Sequence, residues 1–118
     1  MTLLESLHAV LVAAGTGNCY MLEAPDIPEC VTIAPYASAP DSSLPMSAES
    51  FQIAVRSEDY ADGNAVAWLA FRALADERPD GVFSIIPRQS PTYLGREEKR
   101  YLFVFNFDAM ASWERLGE

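Results

Sequence analysis

Leu3, Leu4, Leu7, Val10, Leu11 and Ala14 recur at the three- and four-residue spacing of one helix face. Thr2 stands at the N-cap position, and Glu5 three residues later completes a capping box. Gly15 is placed to close the helix in a left-handed conformation. The pattern predicts a helix over Leu3–Ala14. A second helical period runs through Asn64, Ala67, Trp68, Phe71, Leu74 and Ala75. Asp59 can cap it, Asp62 suits the positive end of the helix dipole, and Pro79 prevents continuation beyond Arg78. This predicts a helix over Tyr60–Glu77, with Gly63 weakening its start.

Between and after these lie segments of period two. Phe51, Ile53 and Val55 alternate with Gln52 and Arg56, which marks a strand with one buried face. Cys30–Tyr36 reads the same way, with Val31 and Ile33 on one side and Thr32 and Ala34 on the other. Cys19–Glu23 makes a short strand before a turn held by Pro25 and Pro28. Val82–Gln89 is a further strand, and Tyr101–Asp108, nearly all apolar to Phe107, suits a strand covered on both faces. Ala37–Ser47 is polar and proline-bearing, and is expected to be a loop. Pro91 cannot donate to a ladder, so the strand before it ends there or lies on an edge. Gly95 permits a reversal, and Arg96-Glu97-Glu98-Lys99-Arg100 is charged, so Pro91–Arg100 is expected to be a turn. No element is assigned to Met110–Glu118.

The order is helix, three strands, helix, two strands. Short links favour antiparallel pairing. The expected fold class is α/β (α+β), an antiparallel four- to five-stranded sheet with two helices packed on one face. The 118 residues are expected to form one domain, 1–118.

Half the residues are hydrophobic, which argues against disorder. No apolar run reaches the roughly 20 residues of a membrane span, and no basic stretch precedes the first apolar one, so neither a membrane partner nor a signal peptide is expected. Seventeen acids stand against eight bases, a net charge of −9. Such a chain repels a phosphate backbone, although it suits a passage through which DNA slides without binding. Cys19 and Cys30 read as two reduced thiols, or alternatively as a disulfide across neighbouring strands. With one histidine and no close cysteine pair, no metal site and no cofactor is expected.

Catalytic patterns are weak throughout. His8, within the first helix, is expected to be a surface or boundary residue and not a ligand or base, with no Gly-x-Ser-x-Gly elbow elsewhere to recruit it. Gly15-Thr16-Gly17-Asn18 follows a helix instead of opening one and lacks the lysine of a phosphate loop. Glu58-Asp59-Tyr60-Ala61-Asp62 lacks the alternation of a calcium loop. No catalytic residue is assigned. The residues that invite a partner are of another kind. Leu44 and Leu94 are apolar residues in otherwise polar segments, as expected of interface anchors. Arg56, Arg88, Arg96 and Arg100 are either solvated strand and turn charges or forks for a neighbour's carboxylates. Trp113, in a short terminal segment, needs something to cover it. Trp68 and Phe71 are expected in the core, with part of that face available to a subunit contact.

Ser90-Pro91, Leu94-Gly95, the charged Arg96-Glu97-Glu98 and the apolar strand ending near Asn106 resemble the ending of tailed-bacteriophage minor capsid proteins, a family related to tail terminators and tail-completion proteins. The likeness extends to the first helix, the Phe51–Arg56 strand and the helix beginning near Tyr60, and rests on order and spacing. It implies a structural virion-assembly protein without catalysis. The implied form is a homo-oligomeric ring, commonly hexameric, that ends the tail tube and joins it to the head connector. Its partners would be the tail tube protein and connector proteins, with DNA passing through the lumen without tight binding. Its place would be the virion, after assembly in the host cytoplasm. Another head–tail joining component, or a monomeric α/β binding module, is the alternative.

Overall fold

A computed structural model describes residues 1–118. The elements in chain order are α1 (Leu3–Ala13), β1 (Cys19–Met21), β2 (Cys30–Pro40), β3 (Met46–Ser57), α2 (Tyr60–Asp76), β4 (Val82–Glu97), β5 (Arg100–Ser112) and a one-turn helix, α3 (Trp113–Leu116). The strands form one sheet in the order β1-β2-β3-β5-β4. α1 and α2 pack on one face of it. The other face carries no second layer.

Both helix starts follow from their caps. Glu5 N–H donates to Thr2 Oγ1 at 3.1 Å and Thr2 N–H to Glu5 Oε1 at 2.9 Å, the reciprocal capping box. Gly15 takes φ +86°, and the N–H groups of Gly15 and Thr16 return to the carbonyls of Val12 and Leu11. This left-handed stop satisfies carbonyls that the helix end would otherwise orphan. Asp59 Oδ1 accepts from Asp62 N–H at 2.9 Å and starts α2.

The core joins Leu3, Leu7 and Leu11 of α1 to Val31 and Ile33 of β2, Phe51, Ile53 and Val55 of β3, and Phe103, Phe105 and Phe107 of β5. The alternation read in β3 is thus the one observed. α2 departs from its expected phase. Its buried line is Gly63, Ala67, Ala70 and Leu74, while Asn64 and Trp68 are half-buried and Ala75 is exposed. The physical reason is size. Three phenylalanines on β5 fill the interlayer space, so the helix above must present its smallest residues. Trp68 and Phe71 lie at the margin of that contact, edge to face with each other at 5.5 Å, and Phe71 packs likewise on Phe105 at 5.4 Å.

Three other expectations are corrected. The sheet is antiparallel except at β1, which runs parallel to β2 with Cys19 opposite Val31 and Met21 opposite Ile33. Leu22 at φ +71° ends β1, and the 22–29 segment with its two prolines carries the chain back to the end of the sheet where β1 began. The Ala37–Ser47 segment is mostly ladder. Ala37 pairs with Ser50, Ala39 with Ala48 and Pro40 with Ser47, so the loop shrinks to residues 41–45. The Pro91–Arg100 segment is also strand as far as Glu97, and the turn is Glu98-Lys99 alone, with Glu98 at φ +57°. Pro87 and Pro91 are accommodated because β4 is an edge strand. In both hairpins the missed stretch has no continuous buried face, and backbone pairing defines it, helped in β4 by Tyr93 packing on Tyr60, Tyr101 and Phe103. No helix is long and apolar enough to cross a membrane.

Candidate assembly surfaces

β3 runs antiparallel to β2 and β5, and β5 to β4, so the two hairpin tips point opposite ways. The 41–45 tip lies beside Ser112 and Trp113. The Glu98-Lys99 tip lies beside Ser57 and the start of β2. The molecule is 46 Å long and 23 Å across, and the candidate residues fall on its two ends and along one edge.

At the first end, Asp41 Oδ1 accepts from the N–H groups of Ser43 at 2.8 Å and Leu44 at 3.1 Å. Those bonds hold its carboxyl below the usual carboxylate range. They also fix the tip so that Leu44 stands in water. Trp113 opens α3, its N–H bonded to the Pro45 carbonyl at 2.9 Å and its indole Nε1–H to Ser47 Oγ at 2.9 Å. The ring is fastened by its polar atom yet remains 54% exposed. The chain covers less than half of Trp113, and the rest of its surface stands free.

At the second end, the 22–29 segment arches over the uncovered sheet face and leaves a cleft of about 570 Å3. Arg56 Nε bonds Glu97 Oε2 at 3.2 Å. Arg100 donates to the Ile27 carbonyl at 2.9 Å and lies 3.5 Å from Asp26 Oδ1. Arg100 therefore ties the 22–29 wall to the sheet, and Arg56 links β3 to β4 at the cleft floor. Cys30 is buried beneath them. Its thiol is pushed up by burial, against the pull of Arg100 and Arg56. Cys19 faces the helices, as its pairing with Val31 requires, and burial raises its thiol to about 11. The two cysteines thus lie on opposite faces of the sheet, and both are free. His8 is half-buried, its Nε2 2.8 Å from the Cys19 carbonyl oxygen.

The middle of the uncovered face is polar. Asp108 accepts from Ser50 Oγ at 2.7 Å and from Arg88 Nε at 2.7 Å. Burial pushes its carboxyl up, but these donors outweigh burial and leave it below the ordinary value. Asn106 donates to Gln89 Oε1 at 2.9 Å, while its own Oδ1 is buried without a partner.

Arg56, Arg88 and Arg100 therefore each have a carboxylate in their own chain. Arg96 has none. Its guanidinium lies 5.0 Å from the centre of the Tyr101 ring, beside an aromatic cluster of Tyr60, Tyr93, Tyr101 and Phe103. Leu94 is 58% exposed at a bulge of β4. The structure brings Leu94 and Arg96 together on that edge, Leu44 and Trp113 together at one end, and Arg56 and Arg100 together at the other.

Sequence reasoning missed two features. Phe83 and Ile86 are exposed on β4, although a strand pattern alone gives them no reason to be. Arg115 binds the Met1 carbonyl at 2.9 Å, Ser6 Oγ at 2.7 Å and the Asp80 carbonyl at 3.0 Å, clasping α3 to α1 and to the turn before β4. Its place in a short terminal segment carried no signal of this.

The arrangement offers surfaces for partners. No curated protein matches the chain. A chain in a structure described as the virion of a native gene transfer agent particle has the same fold. Its TM-score is 0.72 at 16% identity, with 94% of this chain and 95% of that one covered. The sequence model of the bacteriophage tail terminator protein family matches residues 5–113, from the first turn of α1 to Trp113. The chain belongs to the bacteriophage tail terminator protein family and is a structural protein of virion assembly.

Proposed function

We propose that residues 1–118 act as one domain, six copies of which close into a ring that ends the tail tube and joins it to the head connector. The observation that carries this is the family match over residues 5–113, which spans both long helices and all five strands. The candidate residues supply contacts in keeping with it. Leu44 and Trp113 at one end, and Arg56 and Arg100 around the cleft at the other, meet the axial partners, tail tube protein and connector. Leu94, Arg88 and Arg96 on the β4 edge meet the neighbouring subunit. A heterologous contact of this kind closes by rotation. The net charge of −9 per copy lets DNA pass the lumen without binding, at the head–tail junction of the particle. Assembly takes place in the host cytoplasm.

Light scattering with negative-stain imaging tests the reading. Rings with a central hole, alone or on purified tail tubes, support it. A chain that stays monomeric at high concentration and is absent from tail ends overturns it.

A further inference from the structure

Every Lys and Arg of this chain lies at position 56 or later, and residues 1–55 contain six acids and no base. That segment builds α1, β1, β2 and most of β3. One edge of the sheet, β1 with the free part of β2, is thus made wholly from the base-free part. The opposite edge is β4, and from Val82 to Arg96 it contains two arginines and no acid. β1 and β2 hold no charged residue themselves, and the acids beside that edge, Glu23, Asp26 and Glu29, lie in the 22–29 segment, so the two sides of the sheet differ in sign.

They share an apolar character. Phe83, Ile86 and Leu94 stand exposed on β4. Phe83 and Leu94 fall where the register with β5 shifts, so a bulge ejects each from the ladder. On the other edge Met21, Leu22 and Tyr36 are exposed, and Tyr36 is likewise ejected at the Pro35/Ala37 shift. Glu23 and Asp26 follow directly in the segment beyond β1. Pro87 and Pro91 on β4, and Pro35 and Pro40 on β2, bar a continuous backbone ladder along either edge. Contact across these edges must therefore run through side chains.

Resting on the ring reading above, we propose that the subunit contact is edge to edge, with β4 of one copy seated on the β1–β2 edge and the 22–29 segment of the next. Apolar side chains form its centre, and Arg96 faces Glu23, while Arg88 and Asp26 stay on Asp108 and Arg100 of their own chain. The occupant is a second copy because the complementary surfaces lie on opposite sides of one sheet, so each copy offers both. A side of 46 by 23 Å is roughly 1,000 Å2 in outline, against about 800 Å2 per partner in a standard interface. Arg96 already lacks a carboxylate within its own chain, and Glu23 lacks a cation.

Paired cysteines test the contact. The chain carrying Leu22→Cys and Leu94→Cys together, oxidised after assembly, is expected to give a ladder of covalent oligomers up to ring size, while each single variant stays uncrosslinked. Rings seen by negative stain with no ladder overturn the edge assignment and leave the ring reading standing. Crosslinking of Leu94→Cys to itself also overturns it, because that marks a two-fold contact. No rings and no incorporation into tails, for the unaltered chain too, removes the ring reading and this inference with it. A charge exchange gives an independent arm. Arg96→Glu and Glu23→Lys are each expected to cut ring yield at least tenfold, and the chain carrying both is expected to recover most of it. Failure of the double variant to recover, with an unchanged melting temperature, overturns the pairing of these edges.

Discussion

Gly63 sits in the first turns of α2 with its Cα against the sheet, and its replacement by alanine sets two effects of known size against each other. In an open helix position the change stabilises by about 0.8–1 kcal/mol, since alanine loses less backbone entropy. Here a Cβ would lie 2.8 Å from Cε2 and 3.3 Å from Cδ2 of Phe103, and 3.1 Å from the Ser57 Cβ. The Phe103 ring is 1% exposed, with Tyr60 at 5.1 Å and Tyr93 at 5.5 Å between ring centres. It cannot swing away without moving those rings, and overpacking of this kind costs about 1–3 kcal/mol. The net expectation for Gly63→Ala is destabilisation by about 0.5–2 kcal/mol, a fall in Tm of roughly 2–8 °C for a chain of this size. Urea and thermal unfolding measure it, with Ala65→Gly on the exposed side of α2 calibrating helix propensity at about 1 kcal/mol. Combining Gly63→Ala with Phe103→Leu should show strong coupling, the double variant losing less than the sum of the singles. A Gly63→Ala chain as stable as the parent, or more so, would refute the close helix–sheet contact.

Three further outcomes are expected. Arg115→Ala should cost about 1–3 kcal/mol, because Met1, Ser6 and Asp80 lose a shared charged donor, and Arg115→Lys should recover little, since one ammonium cannot span three acceptors; chemical denaturation checks both. Asp108 has a folded-state carboxyl below its ordinary value, so its contribution is full above the unfolded value of about 3.9 and is lost as pH falls through the lower folded one. Asp108→Asn should therefore be less stable than the parent at neutral pH and lose less of its stability on acidification, measured as Tm against pH. Neither Cys19 nor Cys30 should react readily with a thiol reagent at pH 8 in the folded chain, both thiols being raised by burial, and both should react at once in denaturant.

The parts of the fold that were legible in the sequence are those where one face is buried and the other wet. α1 shows this in Leu3, Leu7 and Leu11 between its cap and Gly15, and β3 shows it in Phe51, Ile53 and Val55. The signal failed where burial and hydrophobicity part company. Gly63 and Ala70 are among the most buried residues of α2, yet they carry the weakest apolar signal, so the eye follows Trp68 and Phe71 and rotates the helix. The outer halves of β2 and β4 have no dry face, and their prolines read as ends, although at a sheet edge a missing N–H costs nothing. β1 was legible as a strand, but its three residues carry no sign of the parallel pairing with β2. Leu44, Leu94 and Trp113 were legible as candidates because an apolar side chain among polar neighbours stands out in one dimension. The partners of Arg56, Arg88 and Arg100 were not, because Glu97, Asp108 and Asp26 come to them only through the sheet.

The opposed hairpin tips have a consequence for directionality. One tip is Asp41-Ser42-Ser43-Leu44-Pro45 beside a bare indole, and the other is Glu97-Glu98-Lys99-Arg100. The first offers a greasy contact indifferent to salt; the second offers charges whose attraction fades as ionic strength rises. Copies joined side by side with their strands aligned would all point the same way, so a closed assembly would have two unlike rims, one sticky and one ionic. Its polarity would be set inside each monomer by the antiparallel registers of β2, β3 and β5, before any neighbour arrives. Such a cap has a right way up, and salt concentration becomes a means of loosening one of its two junctions while the other holds.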